Sequence, residues 1–338
     1  MTISPKISNV IELPNLQVLV HSVDLRPKIS EMGLGVKNQN PRGTCSVFAS
    51  TFLLEYMVCK EKNVKIQSWP DDQKNRTINF SEEYLNAVSN MSRQQQGQTE
   101  TRPDGDTFQG CWWGYRDFGI VEEEWFPYQQ TYDPNKVPDP ELLQIGMAAR
   151  FLKADIMLSE KQPTQPNWAS KGLSDVQISA VIHQLDNGVP VSLGVHLADP
   201  TQVVNFGGLS IWDDFPDETK NTAGHSIAVV GYCAATSIIP SGGYFIFRNS
   251  WGELWGDSGY GYLSFNFARK YVYDAAIYDR DPEFLPGVKV KPTAVTDVKK
   301  AYKIPVPPPT LTQIDKLGKL IHPDSRLSVR AAYLLNPL

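Results

Sequence analysis

Cys45 constrains this chain more than any other residue, because it stands where a turn-rich stretch gives way to a helical pattern. Asn38-Gln39-Asn40-Pro41-Arg42-Gly43-Thr44 leads into Cys45, and Phe48, Phe52, Leu53, Tyr56 and Met57 follow at helical spacing. That spacing predicts a helix over residues 45–60 with the thiol at its start. Peptide dipoles at a helix N-terminus favour the thiolate, which is the nucleophilic form. Far downstream lie Gly224-His225-Ser226 and Arg248-Asn249-Ser250-Trp251-Gly252. A Cys, a His to hold its proton and an Asn to orient the imidazole make a complete nucleophilic set. Taken singly, each residue has a plainer reading: Cys45 as a core thiol, His225 as a strand histidine, Asn249 as a turn residue, Gln39 as a loop amide and Trp251 as a core aromatic.

Six blocks, in order, resemble the papain-like cysteine peptidases. Val23-Asp24-Leu25-Arg26 is similar to that family's mature N-terminal motif. The Gln39-to-Cys45 segment resembles its nucleophile block, and Phe80-Ser81-Glu82-Glu83-Tyr84-Leu85 its Ser-Glu-Gln block. Gly119-Ile120-Val121 with Glu124 and Phe126-Pro127-Tyr128 is similar to its Gly-Val…Glu…Tyr-Pro-Tyr block. His225 to Tyr232 resembles the histidine strand. Asn249-Ser250-Trp251-Gly252, followed by Trp255-Gly256, is the best match of the six. The shared order and context point to a catalytic site where single residues do not.

The resemblance implies an α+β fold of papain type, with a helical subdomain, a β-barrel-like subdomain and an active site in the cleft between them. It implies hydrolysis of peptide bonds in a peptide or protein substrate through a thioester. In that reading Cys45 is the nucleophile, His225 the acid and base, and Asn249 the group that orients the imidazole under the shield of Trp251. Gln39 and the Cys45 N–H donate to the oxyanion. Gly105 and Asp106 fall near the family's glycine-rich substrate-binding wall, with a plain turn as the alternative, and Gly224 stands just before the histidine.

The chain also departs from the pattern. The family usually writes Cys-Gly-Ser-Cys-Trp at the nucleophile; here it is Arg42-Gly43-Thr44-Cys45-Ser46. Arg42 therefore stands at a structural cysteine, Ser46 at a tryptophan, and Gly224 at a common Asn or Asp. The stretch from Cys45 to His225 exceeds the roughly 130–150 residues usual in the family. These departures leave two other readings open: an acyl-transfer or dedicated processing enzyme using the same thioester, and a non-catalytic binding protein on a peptidase scaffold.

Composition narrows the classes. The 338 residues are 41% hydrophobic and 20% charged, as in an ordinary globular protein. A net charge of −5 gives no electrostatic reason to expect nucleic acid or an anionic membrane. No apolar run approaches the ~18 residues of a membrane span. Cys-x-x-Cys, His-Glu-x-x-His and EF-hand spacings are all missing, so neither a metal nor another cofactor is expected. His21, His183, His196 and His322 lie outside the matching blocks.

Residues 1–22 read as a short lead, without the features of a signal peptide and too short for the helical propeptide of family zymogens. Residues 23–281 read as the catalytic domain, helical to about 150 and strand-rich from about 151. Helices are expected over 81–90, over 108–118 and after Ser174, and strands over 189–195, 225–232, 243–249 and 259–265. Residues 282–338 form a Pro-rich extension; Leu311, Ile314, Leu317 and Leu320 after Pro305–Pro309 suggest a contact with the cleft, or packing on the back of the body. The lead and the missing family cysteines, which fall at Arg42 and Val88, point to a cytoplasmic and bacterial protein. Thiol counting under denaturing, non-reducing conditions should accordingly find Cys45, Cys59, Cys111 and Cys233 all free; a count of two would mean a native disulfide.

Overall fold

The residues after Cys45 leave no exposed side to the helix they form, being buried from 46 to 59. Val47, Phe48, Phe52, Leu53, Tyr56 and Met57 are all buried, and a helix with apolar residues all round it is stable only inside a core. Even Glu55 is 1% exposed; its carboxylate accepts the Phe80 N–H at 2.8 Å. The computed structural model describes residues 10–13, 16–19, 21–61, 78–98, 103–148, 152–159, 172–197, 202–206, 209–214, 223–234 and 241–280. The Pro-rich extension expected over 282–338 lies outside these residues.

In chain order the first elements are β1 (Val10–Leu13), β2 (Leu16–Leu19), β3 (His21–Asp24), α1 (Arg26–Glu31), α2 (Cys45–Glu61), α3 (Glu82–Gln95) and α4 (Phe108–Phe118). A single 3-10 turn over Glu123–Trp125 precedes α5 (Pro140–Ala148), β4 (Leu152–Ser159), α6 (Asp175–Asp186) and β5 (Val191–Leu197). There follow β6 (Gln202–Phe206), β7 (Leu209–Asp214), β8 (Ala223–Ala234), β9 (Gly243–Arg248), β10 (Tyr260–Ser264), α7 (Phe265–Tyr271) and β11 (Val272–Arg280). This mixture of helices and one large sheet is the expected α+β class.

The chain forms two compact units. Among the described residues, the first takes in Met32–Leu34, those between Asn40 and Asp155, and 278–280, and contains α2 to α5. Ser81 and Thr107 start α3 and α4 by accepting the N–H groups of Tyr84 and Gly110, each satisfying one otherwise orphaned donor. The two helices pack at Gly114, where a Cβ would lie 2.5 Å from the Ser89 backbone nitrogen.

The second unit takes in the described residues up to Glu31, Gly35–Gln39, and those between Ile156 and Ile277. It contains α6, α7 and most of a nine-stranded sheet of order β4-β11-β5-β8-β9-β10-β7-β6, with β3 also paired to β8. Apart from the parallel β7–β10 pair, the pairings resolved within that sheet are antiparallel. β9 is buried along its whole length. Ser174 and Gln177 start α6 with a reciprocal capping box. The strand expected over 259–265 stops at Ser264, because that side chain accepts the Phe267 N–H at 3.0 Å and starts α7 instead.

Gly114→Ala tests the α3–α4 approach. Alanine is the better helix former by about 1 kcal/mol, but its methyl group would meet α3 backbone, and overpacking costs about 1–3 kcal/mol or more. The variant should therefore be less stable in urea denaturation; equal or greater stability would contradict so close a crossing.

Candidate active site

In the helical unit, the Phe48 N–H donates to the Thr44 carbonyl at 3.0 Å. Cys45 is thus the first residue of α2, among the N–H groups that lack intrahelical acceptors. Its side chain is half-buried, while Cys59, Cys111 and Cys233 are buried, and none of the four is in a disulfide. Burial pushes the Cys111 and Cys233 thiols up, away from the thiolate. Exposure and helix position together single out Cys45 as the thiol suited to nucleophilic chemistry.

The residues flanking Cys45 are held on both sides. Buried Thr44 shares a 2.7 Å hydrogen bond with the Tyr128 hydroxyl. The Ser46 hydroxyl donates to the Asp106 carbonyl. Gly105 has φ +89°, and a Cβ there would lie 2.0 Å from the Gly43 carbonyl oxygen, so only glycine lets the 103–107 loop lie on residues 42–44. The Asp106 carboxylate turns inward, where it accepts from the Thr107 N–H at 2.7 Å and Arg93 at 3.1 Å. Burial raises its pKa, partly offset by Arg93. Asp106 therefore contributes its backbone, not its side chain, to the surface beside Gly105.

The strand-rich unit gathers His225, Asn249, Gln39 and Trp251. β8 sets His225 opposite Val195 of β5, and the ring is 4% exposed. His225 Nε2 lies 2.8 Å from Asn249 Oδ1. That oxygen also accepts the Ser250 N–H at 2.8 Å, which fixes the orientation of the amide. An amide oxygen can only accept, so Nε2 carries the hydrogen and Nδ1 is left as the basic nitrogen. Trp251 stacks on the imidazole with ring centres 4.6 Å apart, and Trp255 meets Trp251 edge-on at 5.3 Å. Gly224, one residue before His225, is exposed.

Gln39 joins this group through Ser250. The Gln39 N–H donates to the Ser250 carbonyl at 2.8 Å, and the Ser250 hydroxyl donates to Gln39 Oε1. With Oε1 taken by Ser250, the donor end of the amide is Nε2. Sequence reasoning assigned Ser250 no role; its place between Asn249 and Trp251 was the available signal.

The chain is similar to known proteins. The papain family cysteine protease model matches residues 19–278, and the chain belongs to that family. Among solved structures, the digestive procathepsin L 3 of the Tenebrio molitor larval midgut is 20% identical, over 75% of this chain and 69% of that one, with a TM-score of 0.47. The bromelain protease of Ananas comosus in complex with the E64 inhibitor is 18% identical, over 77% of this chain and 99% of that one, also at 0.47. The ragweed pollen allergen Amb a 11, a cysteine protease in its proform, is 19% identical, over 77% and 66%, at 0.46.

Burial lowers the His225 pKa from 6.5 to about 4, with the Asn249 bond pulling it back up. Between those values the unfolded chain binds a proton that the folded chain refuses, so folding stability falls as pH drops from 6.5 to about 4 and is fully present above 6.5. A shift of that size is worth about 3 kcal/mol. In a Cys45→Ser background, which removes any thiolate partner, urea denaturation should show this loss. Adding His225→Gln should flatten it; an unchanged slope would mean that other groups carry the acid sensitivity.

Proposed function

We propose that this protein is a cysteine peptidase that cleaves peptide bonds through a thioester acyl-enzyme. Membership of the papain family supports the class. The observation that carries the mechanism is the His225–Asn249 bond under Trp251, because it leaves Nδ1 as the basic nitrogen. Thiolate Cys45 attacks the substrate carbonyl carbon, and the carbonyl oxygen becomes an oxyanion. Gln39 Nε2 and the Cys45 N–H donate to that oxygen. As the tetrahedral intermediate collapses, imidazolium His225 gives its Nδ1 proton to the leaving amine. The same nitrogen then takes a proton from water, whose oxygen attacks the thioester, and Cys45 leaves as thiolate.

His225 must be cationic for the first step, although its burial alone favours the neutral ring. The negative charge of Cys45 supplies the missing stabilisation, since a thiolate and an imidazolium raise and lower each other's pKa in the needed directions. Trp251 keeps water from the His225–Asn249 bond, which strengthens it.

Labelling with an epoxide-type cysteine peptidase inhibitor, followed by peptide mapping, should place the label on Cys45 alone, and Cys45→Ala should abolish labelling and hydrolysis. Hydrolysis that survives in Cys45→Ala would sink the proposal. Gln39→Ala should lower kcat by about 100- to 1000-fold, because its bond forms in the transition state. A raised KM with unchanged kcat would remove Gln39 from the oxyanion site.

A further inference from the structure

Arg42 stands three residues before Cys45, and its guanidinium reaches three other segments at once. Nε and one terminal nitrogen hold the Asp104 carboxylate at 3.1 and 2.8 Å. The other terminal nitrogen donates to Glu83 at 2.5 Å and to the Gln129 carbonyl at 2.6 Å. The guanidinium carbon sits over the rings of Tyr128 and Tyr132, at 4.4 and 5.2 Å from their centres. The Arg42 and Glu83 side chains are 3% and 2% exposed, and Asp104 is 20% exposed. Burial alone would make the guanidinium easier to deprotonate, but Asp104 and Glu83 outweigh it and hold it charged. The planar fork meets two carboxylates and a carbonyl together, which a lysine ammonium cannot reproduce.

Each contact bears on the surroundings of Cys45. Asp104 immediately precedes Gly105, whose N–H donates to Asn86 at 2.9 Å. The Asn86 amide also reaches Asp104 at 3.4 Å. Glu83 and Asn86 lie three residues apart on α3 and so share one of its faces. Tyr128, beneath the guanidinium, is bonded through its hydroxyl to Thr44, the residue before Cys45. One buried cation thus ties the strand of backbone leading into Cys45, the 103–107 loop, α3 and the 128–132 segment.

We propose that Arg42 is a positioning residue that sets the backbone at Gly105 in register with Cys45, so that an extended peptide lies with its carbonyl at the sulfur. The inference rests on Cys45 being the nucleophile of a peptidase. A small reagent that meets only the thiol has no use for that register, whereas a peptide-like one that spans both does.

Two rate constants separate these cases: labelling of Cys45 by an epoxysuccinyl peptide and alkylation of Cys45 by iodoacetamide, both located by peptide mapping. Arg42→Lys keeps the charge and loses the fork; Asp104→Asn keeps the shape and loses the charge, and carries the test if the lysine variant fails to fold. In each variant the ratio of epoxide to iodoacetamide rates should fall about 10- to 100-fold, the scale on which a small misplacement of reacting groups costs rate. A ratio equal to that of the unsubstituted protein, whether both rates hold or both fall in parallel, would overturn the proposal while leaving Cys45 as nucleophile. Failure of the peptidase reading has a different signature: the unsubstituted protein would be alkylated at Cys45 by iodoacetamide without being labelled there by the epoxysuccinyl peptide.

Discussion

Burying a helix on every side dictates much of what surrounds it. α2 cannot lie on a surface, so α3 and α4 must cover it, and the one charge in its middle must find a partner inside. Glu55 does so by accepting the Phe80 N–H. Its N-terminal residue, Cys45, is half-buried where its other three cysteine counterparts in the chain are buried. The end of a core helix leaves this thiol partly accessible yet held, and the dipole there adds its own bias toward the anion.

The strand-rich unit solves a different problem, the orientation of a buried ring. β8 and β9 are paired on both edges, and the turn that follows β9 carries Asn249, Ser250 and Trp251 in succession. The three residues divide the work: one bonds the imidazole, one holds Gln39, and one covers the first bond. Because consecutive backbone positions do this, the relative placement of His225 and Gln39 is set by local geometry as much as by long-range packing.

Parts of this were legible in the sequence for identifiable reasons. α2 showed itself through its spacing, and α6 through the Ser174 cap and the Gln177 that completes the box. α1, α5 and α7 are short, and the strand-like Tyr262-Leu263 run hid the change at Ser264, where a side-chain cap ends the strand. β6 and β7 fall among polar and aromatic residues without clean alternation. Of the candidate residues, Cys45, His225, Asn249 and Gln39 could be named from the sequence by type and order, and the structure joins His225 to Asn249 and Gln39 to the adjacent Ser250. The role of Ser250 and the partners of Arg42 were not. Glu83 and Asp104 lie 41 and 62 residues from Arg42, and no local pattern couples charges at such separations.

The Arg42 cluster has one more consequence, for the environment in which this thiol can work. A cysteine nucleophile needs reducing surroundings to stay off the oxidation ladder of sulfenic acid and mixed disulfides. Where the neighbouring tie is itself a pair of sulfurs, the same electrons that protect the nucleophile threaten its support. An ion cluster accepts no electrons. Its carboxylates and guanidinium are indifferent to glutathione, and at 2–3% exposure the Arg42–Glu83 pair is also sheltered from salt. The anchor beside Cys45 is thereby uncoupled from the redox poise that governs the sulfur.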